Sequence, residues 1–240
     1  PNWEIVPSMA DLSFGAQEIS RPYMWSRHLW FDRLSQRGEP GDPDQGELFA
    51  AWARRNRMAQ SLDMRIPHAW HRIPAEVPEP FVNHPEYFAL VDGERSPPQF
   101  CVTQPGLIDA VTAYAETVLN RDPEATTVSL DPADQAGWCT CENCKALGHP
   151  ANQPFYLANR VARRLRETRP GAYVGVLAYS WHSRPPDFDL EPNVLVQLTR
   201  GMNASTLDFP ELFKQWTRRS RRMSMYDYYS YWEMDQGMLP

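Results

Sequence analysis

The sequence predicts an α/β fold, a TIM-type (β/α)8 barrel of which about seven of the eight strands are present. Three observations predict it. Short apolar, β-branched runs recur along the 240 residues. Several are followed by segments with a helical apolar stripe, and strands alternating with helices imply a parallel sheet. The strand runs are short and apolar, as strands covered on both faces should be. An open doubly wound sheet is the alternative. No G-x-G-x-x-G or G-x-x-x-x-G-K-[ST] loop follows the first strand, which weighs against nucleotide binding.

Residues 1–20 read as an irregular lead-in, and 21–240 as the partial barrel. PYMWSRHLWF (22–31) is the first strand. A helix at about 46–59 turns Leu48, Phe49 and Trp52 inward. MRIPHAW (64–70) is the second strand. Residues 71–97 form a Pro-rich excursion with no helical period; a loop of that length in a compact domain is usually functional or disordered, and its aromatics with NHPEYFAL favour an ordered one. PQFCVTQ (98–104) is the third strand. The helix at 106–121 carries the stripe Leu107, Ile108, Val111, Ala115, Val118 and Leu119. TTVSL (126–130) is the fourth strand. The helix at 152–168 aligns Phe155, Ala158, Val161, Ala162 and Leu165. AYVGVLAYS (172–180) and NVLVQLT (193–199) are strands five and six. A helix at 208–220 buries Leu212, Phe213 and Trp216, and RMSMYDYYS (222–230) is the seventh strand.

A net charge of −6 argues against a general nucleic-acid binder. The basic clusters Arg160–Arg166 and Arg218–Arg222 lie on helices, where a charged outer face is the ordinary explanation. No run of about 18 apolar residues exists, so no membrane span is expected. The four cysteines are Cys101, Cys139, Cys141 and Cys144. Three of them cluster as C-x-C-x-x-C, which with Cys101 could serve a metal. The spacing departs from the paired C-x-x-C of common zinc modules. A disulfide or buried free thiols is an equal reading, and no metal ligand and no cofactor are assigned.

The stretch TTVSLDPADQAGWCTCENC (126–144) carries the most chemistry. A strand stops at Ser129 and two carboxylates, Asp131 and Asp134, follow at once. The C-terminal ends of parallel strands are where ligands bind. Asp also forms turns and caps, and that reading carries equal weight. Arg27 and His28 would share the same face from strand one, and His68, Trp70 and His71 from strand two. Thr103 and Gln104 follow strand three. Tyr179, Trp181 and His182 follow strand five, Arg200 and Asn203 strand six, and Asp227, Tyr228, Tyr231 and Trp232 strand seven. Aromatic faces stack on sugar rings, and two carboxyl groups across a cleft are the usual equipment for glycosidic cleavage. Against this, strand-end histidines and tyrosines are more often structural, with satisfied polar tips. No H-E-x-x-H or G-x-S-x-G motif supports a metalloprotease or a serine nucleophile.

Several motifs resemble one family. They are Arg27, AAWARRNRM (50–58), His68, HPEYFALVDGER (84–95), FCVTQP (100–105), SLDPADQAGWCTCENC (129–144), NRVARRLRE (159–167), VLAYS (176–180) and YDYYSYW (226–232). Over about residues 15–240 the chain resembles the catalytic barrel of the domain of unknown function 4838 family. Part of that family forms glycoside hydrolase family 163, endo-β-N-acetylglucosaminidases on complex N-glycans. The strand-four motif departs from the family's Ser-x-x-x-Asn-Asp-Gly, with Ala133 before Asp134.

The resemblance implies a secreted bacterial enzyme, periplasmic or extracellular, whose partner is a glycan. It also implies an α-glucuronidase-like N-terminal domain in the full-length protein and a last strand beyond residue 240. Asp134 and Asp227 are the expected catalytic carboxylates. Asp134 would act as a general acid, its pKa raised by a closed pocket, or would orient the acetamide of a substrate-assisted route. Arg27, His68, Trp181 and Tyr228 would bind substrate, with Tyr228 steadying the acetamide. The competing readings are an α-glucuronidase-like hydrolase on uronic-acid polysaccharide, a non-catalytic carbohydrate-binding barrel, and a metal-dependent hydrolase.

Overall fold

A computed structural model of the chain describes residues 51–56, 66–122 and 124–227, the side chain of Asn203 excepted. The chain divides into two compact units, Pro1–Ser61 and Leu62–Pro240. In the first, residues 51–55 are helical, within the expected helix at 46–59.

Prolines open the first helical turns of the second unit. Helix α1 (Ile73–Glu76) has proline in its first turn, α2 (Pro78–Asn83) starts on one, and so does the 3-10 turn Pro85–Tyr87. Proline suits these positions because its fixed φ is helical and its missing N–H would go unpaired there anyway. Strands β1 (Phe88–Val91) and β2 (Glu94–Phe100) then pair antiparallel. Asp92 and Gly93 link them, both with positive φ (+50° and +86°), as a tight hairpin turn requires.

Helix α3 (Pro105–Arg121) also begins with proline and buries Leu107, Ile108, Val111, Ala115 and Leu119. Strand β3 (Thr127–Ser129) follows, then the short α4 (Glu142–Lys145) and α5 (Asn152–Thr168). Helix α5 buries all five residues of its expected stripe. Strands β4 (Tyr173–Ser180) and β5 (Val194–Asn203), helix α6 (Phe209–Thr217) and strand β6 (Met223–Tyr226) complete the described chain. Asp208 caps α6 by accepting from the Glu211 N–H at 2.9 Å.

The parallel sheet runs β3-β4-β5-β6. Strand β4 lies inside it and alternates faces, as a strand must. Val174, Val176 and Ala178 enter the main core with Phe155, Ala158, Val161, Leu165 and Trp216. On the other face Leu177 joins Ile66 and Leu195, flanked by Tyr173 and Tyr179. Gly175 permits this second layer, because a Cβ there would meet the Ile66 side chain at 2.7 Å.

The expected closed barrel is corrected. Among the described residues there are six strands, four in one parallel sheet and two in an antiparallel hairpin, and no closure. The residues expected as strand three belong to that hairpin: β2 pairs only with β1, and Cys101–Gln104 turn into α3. Of the run expected as strand two, the described residues 66–70 contribute one parallel bridge, His68 with Asp131, before the chain turns at Trp70. The expected first strand lies outside the described residues. Among the described residues, no helix is long and apolar enough to cross a membrane.

Candidate functional site

The segment after β3 is pinned to residues 67–70 by a set of short hydrogen bonds. The Asp131 carbonyl accepts from the N–H groups of Ala69 (2.9 Å) and Trp70 (3.2 Å). The Trp70 indole donates to Leu130 O at 2.7 Å, and the Ser129 hydroxyl to Pro67 O at 2.6 Å. These bonds bring His68 beside the two carboxylates that end the strand.

Asp131 is fully buried. Its Oδ1 accepts from the Leu177 N–H of β4 at 2.7 Å, and its Oδ2 lies 2.6 Å from His68 Nδ1. The same ring nitrogen is 2.9 Å from Pro132 O, so the proton on Nδ1 faces two acceptors. His182, also buried, places Nε2 3.5 Å from Asp131 Oδ1. A buried carboxylate thus sits between two imidazoles and a backbone amide.

Asp134 has the opposite setting, with 61% of its side chain exposed. Its Oδ2 is 3.8 Å from His68 Nε2. Gln99 holds this turn by donating from Nε2 to the carbonyls of Ala133 (3.0 Å) and Gln135 (2.6 Å), on either side of Asp134. Tyr179 belongs to the same group, its ring 5.6 Å from that of His68. Burial, and then the charge and hydrogen bond of Asp134, push its hydroxyl above the usual phenol range.

The hydrogen bond to Asp131 raises the pKa of His68 above its usual value, against the opposing effect of burial. A histidine whose pKa is raised by folding stabilises the fold fully below its unfolded pKa, about 6.5. That contribution fades as pH rises through the raised folded value. Wild type should therefore exceed a His68→Gln variant in urea midpoint most below about pH 6.5, with the gap shrinking as pH rises above it. A gap that widens with pH would contradict the assignment.

The site residues expected from sequence divide. His68 and Asp134 meet, with Asp131, His182 and Tyr179 around them. Trp181 does not join them. It is 61% exposed and borders a separate cleft of about 790 Å³ with Ser183, Arg184, Ser205 and Arg218. Ser180, between Tyr179 and Trp181, has a left-handed backbone (φ +47°). The β4–β5 register also becomes irregular after Ala178. Both features re-aim the chain at the strand end, as bulges beside sites do.

Asp227 follows β6 and is ion-paired with Arg200 at 3.3 Å. Asp131 and Asp227 are three strand spacings apart, about 14 Å along the sheet. Arg27 and Tyr228 lie outside the described residues. Asp131 is the residue that sequence reasoning undervalued, and its position immediately after an apolar strand was the available signal. As a possible metal-holding group, the Sγ atoms of Cys101, Cys139, Cys141 and Cys144 lie within 4.8 Å of one another.

The family described as Domain of unknown function (DUF4838) matches the chain over residues 1–240. The chain belongs to this family. No curated protein and no solved structure matches it. The site of this DUF4838 chain therefore rests on its own geometry. That geometry comprises a histidine backed by a buried carboxylate, an exposed carboxylate facing it, and a tyrosine ring packed beside the histidine.

Proposed function

We propose that this protein hydrolyses glycosidic bonds in N-acetylglucosamine-containing glycans, with Asp134 as the carboxylate that acts on substrate. The observation that carries the reading is the pairing of Asp134 with Tyr179 and His68 at the C-terminal edge of a parallel sheet. In a substrate-assisted route the acetamide oxygen attacks the anomeric carbon as the leaving oxygen takes a proton. A carboxylate accepts from the acetamide N–H and a tyrosine donates to its oxygen. Asp134 and Tyr179 supply those two groups, so Tyr179 takes the part that sequence reasoning gave to Tyr228. The exposure of Asp134 suits this orienting role better than that of an acid needing a desolvated pocket. His68 is the proton donor, kept protonated to higher pH by Asp131. Trp181 offers a ring face to a sugar at the neighbouring cleft.

The route also fits the carboxylates present. Inverting enzymes hold two carboxyl groups about 6.5–9.5 Å apart across the scissile bond, and Asp131, the carboxylate nearest Asp134 in sequence, is buried and engaged by Leu177 and His68. Substrate assistance needs no second carboxylate as nucleophile. Asp227, paired with Arg200, belongs to a more distant part of the binding surface.

One observation favours a second reading, an α-glucuronidase-like hydrolase. Arg184, Arg218 and Arg219 line the cleft beside Trp181, and guanidinium groups bind carboxylates well. Two of the three already face carboxylates: Arg184 with Asp187 at 2.9 Å and Arg219 with Asp189 at 3.0 Å. The two readings separate in one experiment. The protein is incubated with a complex-type N-glycopeptide and with a uronic-acid-decorated oligosaccharide, and products are read by mass spectrometry. Glycan release from the glycopeptide alone is expected. Cleavage of the uronic-acid substrate alone would transfer the site to the second reading, and binding of glycan without cleavage would make this a carbohydrate-binding protein.

A further inference from the structure

We propose that Cys101, Cys139, Cys141 and Cys144 bind one Zn²⁺ as a closed tetrathiolate site, which holds the Asp131–Cys144 loop in place. The cysteines come from three separate places: Cys101 follows β2, Cys139 and Cys141 lie in the loop, and Cys144 is on α4. Folding nevertheless converges all four sulfurs. Cys101 Sγ is 3.5 Å from Cys141 Sγ and 3.8 Å from Cys144 Sγ. A tetrahedral zinc with Zn–S bonds of about 2.3 Å requires sulfur–sulfur edges of about 3.8 Å. A disulfide requires about 2.05 Å, and all four cysteines are free.

The surroundings are those of ligated thiolates. The Leu90 N–H donates to Cys139 Sγ at 3.3 Å and the Cys144 N–H to Cys141 Sγ at 3.4 Å. Thr103 Oγ1 lies 3.3 Å from Cys144 Sγ. Such outer contacts offset the negative charge of four thiolates around a divalent ion and fix their direction. Three of the four cysteines are buried. Four sulfur ligands fill the tetrahedron, so the ion has no position open to substrate or water and its role is structural. An all-sulfur tetrahedron suits zinc or iron, and zinc binding releases one proton for each thiol that ionises.

The ion would join the β1–β2 hairpin to the loop that begins with Asp131 and Asp134. Thr140 already bridges the two through its N–H and hydroxyl, both donating to Leu90 O at 2.8 Å. Within the loop Trp138 packs edge-on against Trp70 and His182, with ring centroids 6.4 Å and 5.6 Å away. Zinc loss should therefore loosen the wall behind His182 and change Trp138 fluorescence.

The test is the metal content of the protein purified and reconstituted under reducing conditions, measured by inductively coupled plasma mass spectrometry. About one zinc per chain is expected. Replacement with Co²⁺ should give thiolate-to-cobalt charge-transfer absorption with intense tetrahedral d–d bands. Cys144→Ser should lose both signals, and the wild-type spectrum stands even if that variant folds poorly. Chelation should lower the melting temperature of wild type. No zinc bound with four titratable thiols, a mass lower by about 2 Da from a disulfide, or iron in place of zinc would each overturn the assignment.

Discussion

Replacing Asp131 by Ala is expected to cost about 3 kcal/mol of folding stability, the low end of the range for breaking a buried ion pair. The low end applies because the partner His68 keeps 27% of its side chain exposed and can recover water. Two further losses act in the same direction. The Leu177 N–H loses its acceptor in the interior of the sheet, and an unpaired buried donor is itself destabilising. His182 loses the carboxylate that faces its Nε2. Urea unfolding of the variant measures the sum. Asp131→Asn separates structure from electrostatics, because its amide oxygen still accepts from Leu177 while the charge is gone. In that variant the His68 pKa, followed by NMR titration, should fall back toward about 6.5. A His68 titration unchanged in Asp131→Asn would show that Asp131 does not set the charge of this histidine.

Asp134→Asn is expected to lower turnover by about 10²- to 10⁴-fold, the usual loss when a group moving or orienting a proton is removed. Folding should change by about 0.5 kcal/mol or less, since the side chain is mostly solvated and the turn is held by Gln99 instead. The contrast between these two aspartates follows from three residues of chain. Asp131 is inside and holds the site together, whereas Asp134 is outside, where the proposed substrate would meet it. Asn at 134 keeps the size and one acceptor but can no longer accept from an acetamide N–H as a charged partner.

The helices were legible because their apolar residues recur at helical spacing. The stripe at 155, 158, 161, 162 and 165 sits on a helix that starts and stops where expected, Asn152–Thr168. The barrel was not legible, because strand count does not fix strand pairing. PQFCVTQ is apolar enough for a buried parallel strand, yet β2 folds back on β1 through Asp92–Gly93. That Asp-Gly pair between FALV and ERSPPQF was the available hairpin signal. The prolines of 71–97 read as loop punctuation but opened helical turns.

At the site, sequence placed Asp131, Asp134 and His68 at strand ends but could not say which carboxylate is buried. That depends on the Leu177 amide, 46 residues away along the chain. Cys101 likewise reaches its partners across about 40 residues, so the cysteine spacing resembled no common zinc module. Gln99 and Tyr179 had no signal beyond their polarity near a strand end.

The most direct measurement is the rate of glycan release from a complex-type N-glycopeptide by wild-type and Asp134→Asn protein side by side, read by mass spectrometry. Release by wild type is expected, with a rate lower by about 100-fold or more in the variant at matched folded fraction. Equal rates in the two proteins would contradict it, removing Asp134 from the chemistry and with it the site proposed around His68 and Tyr179.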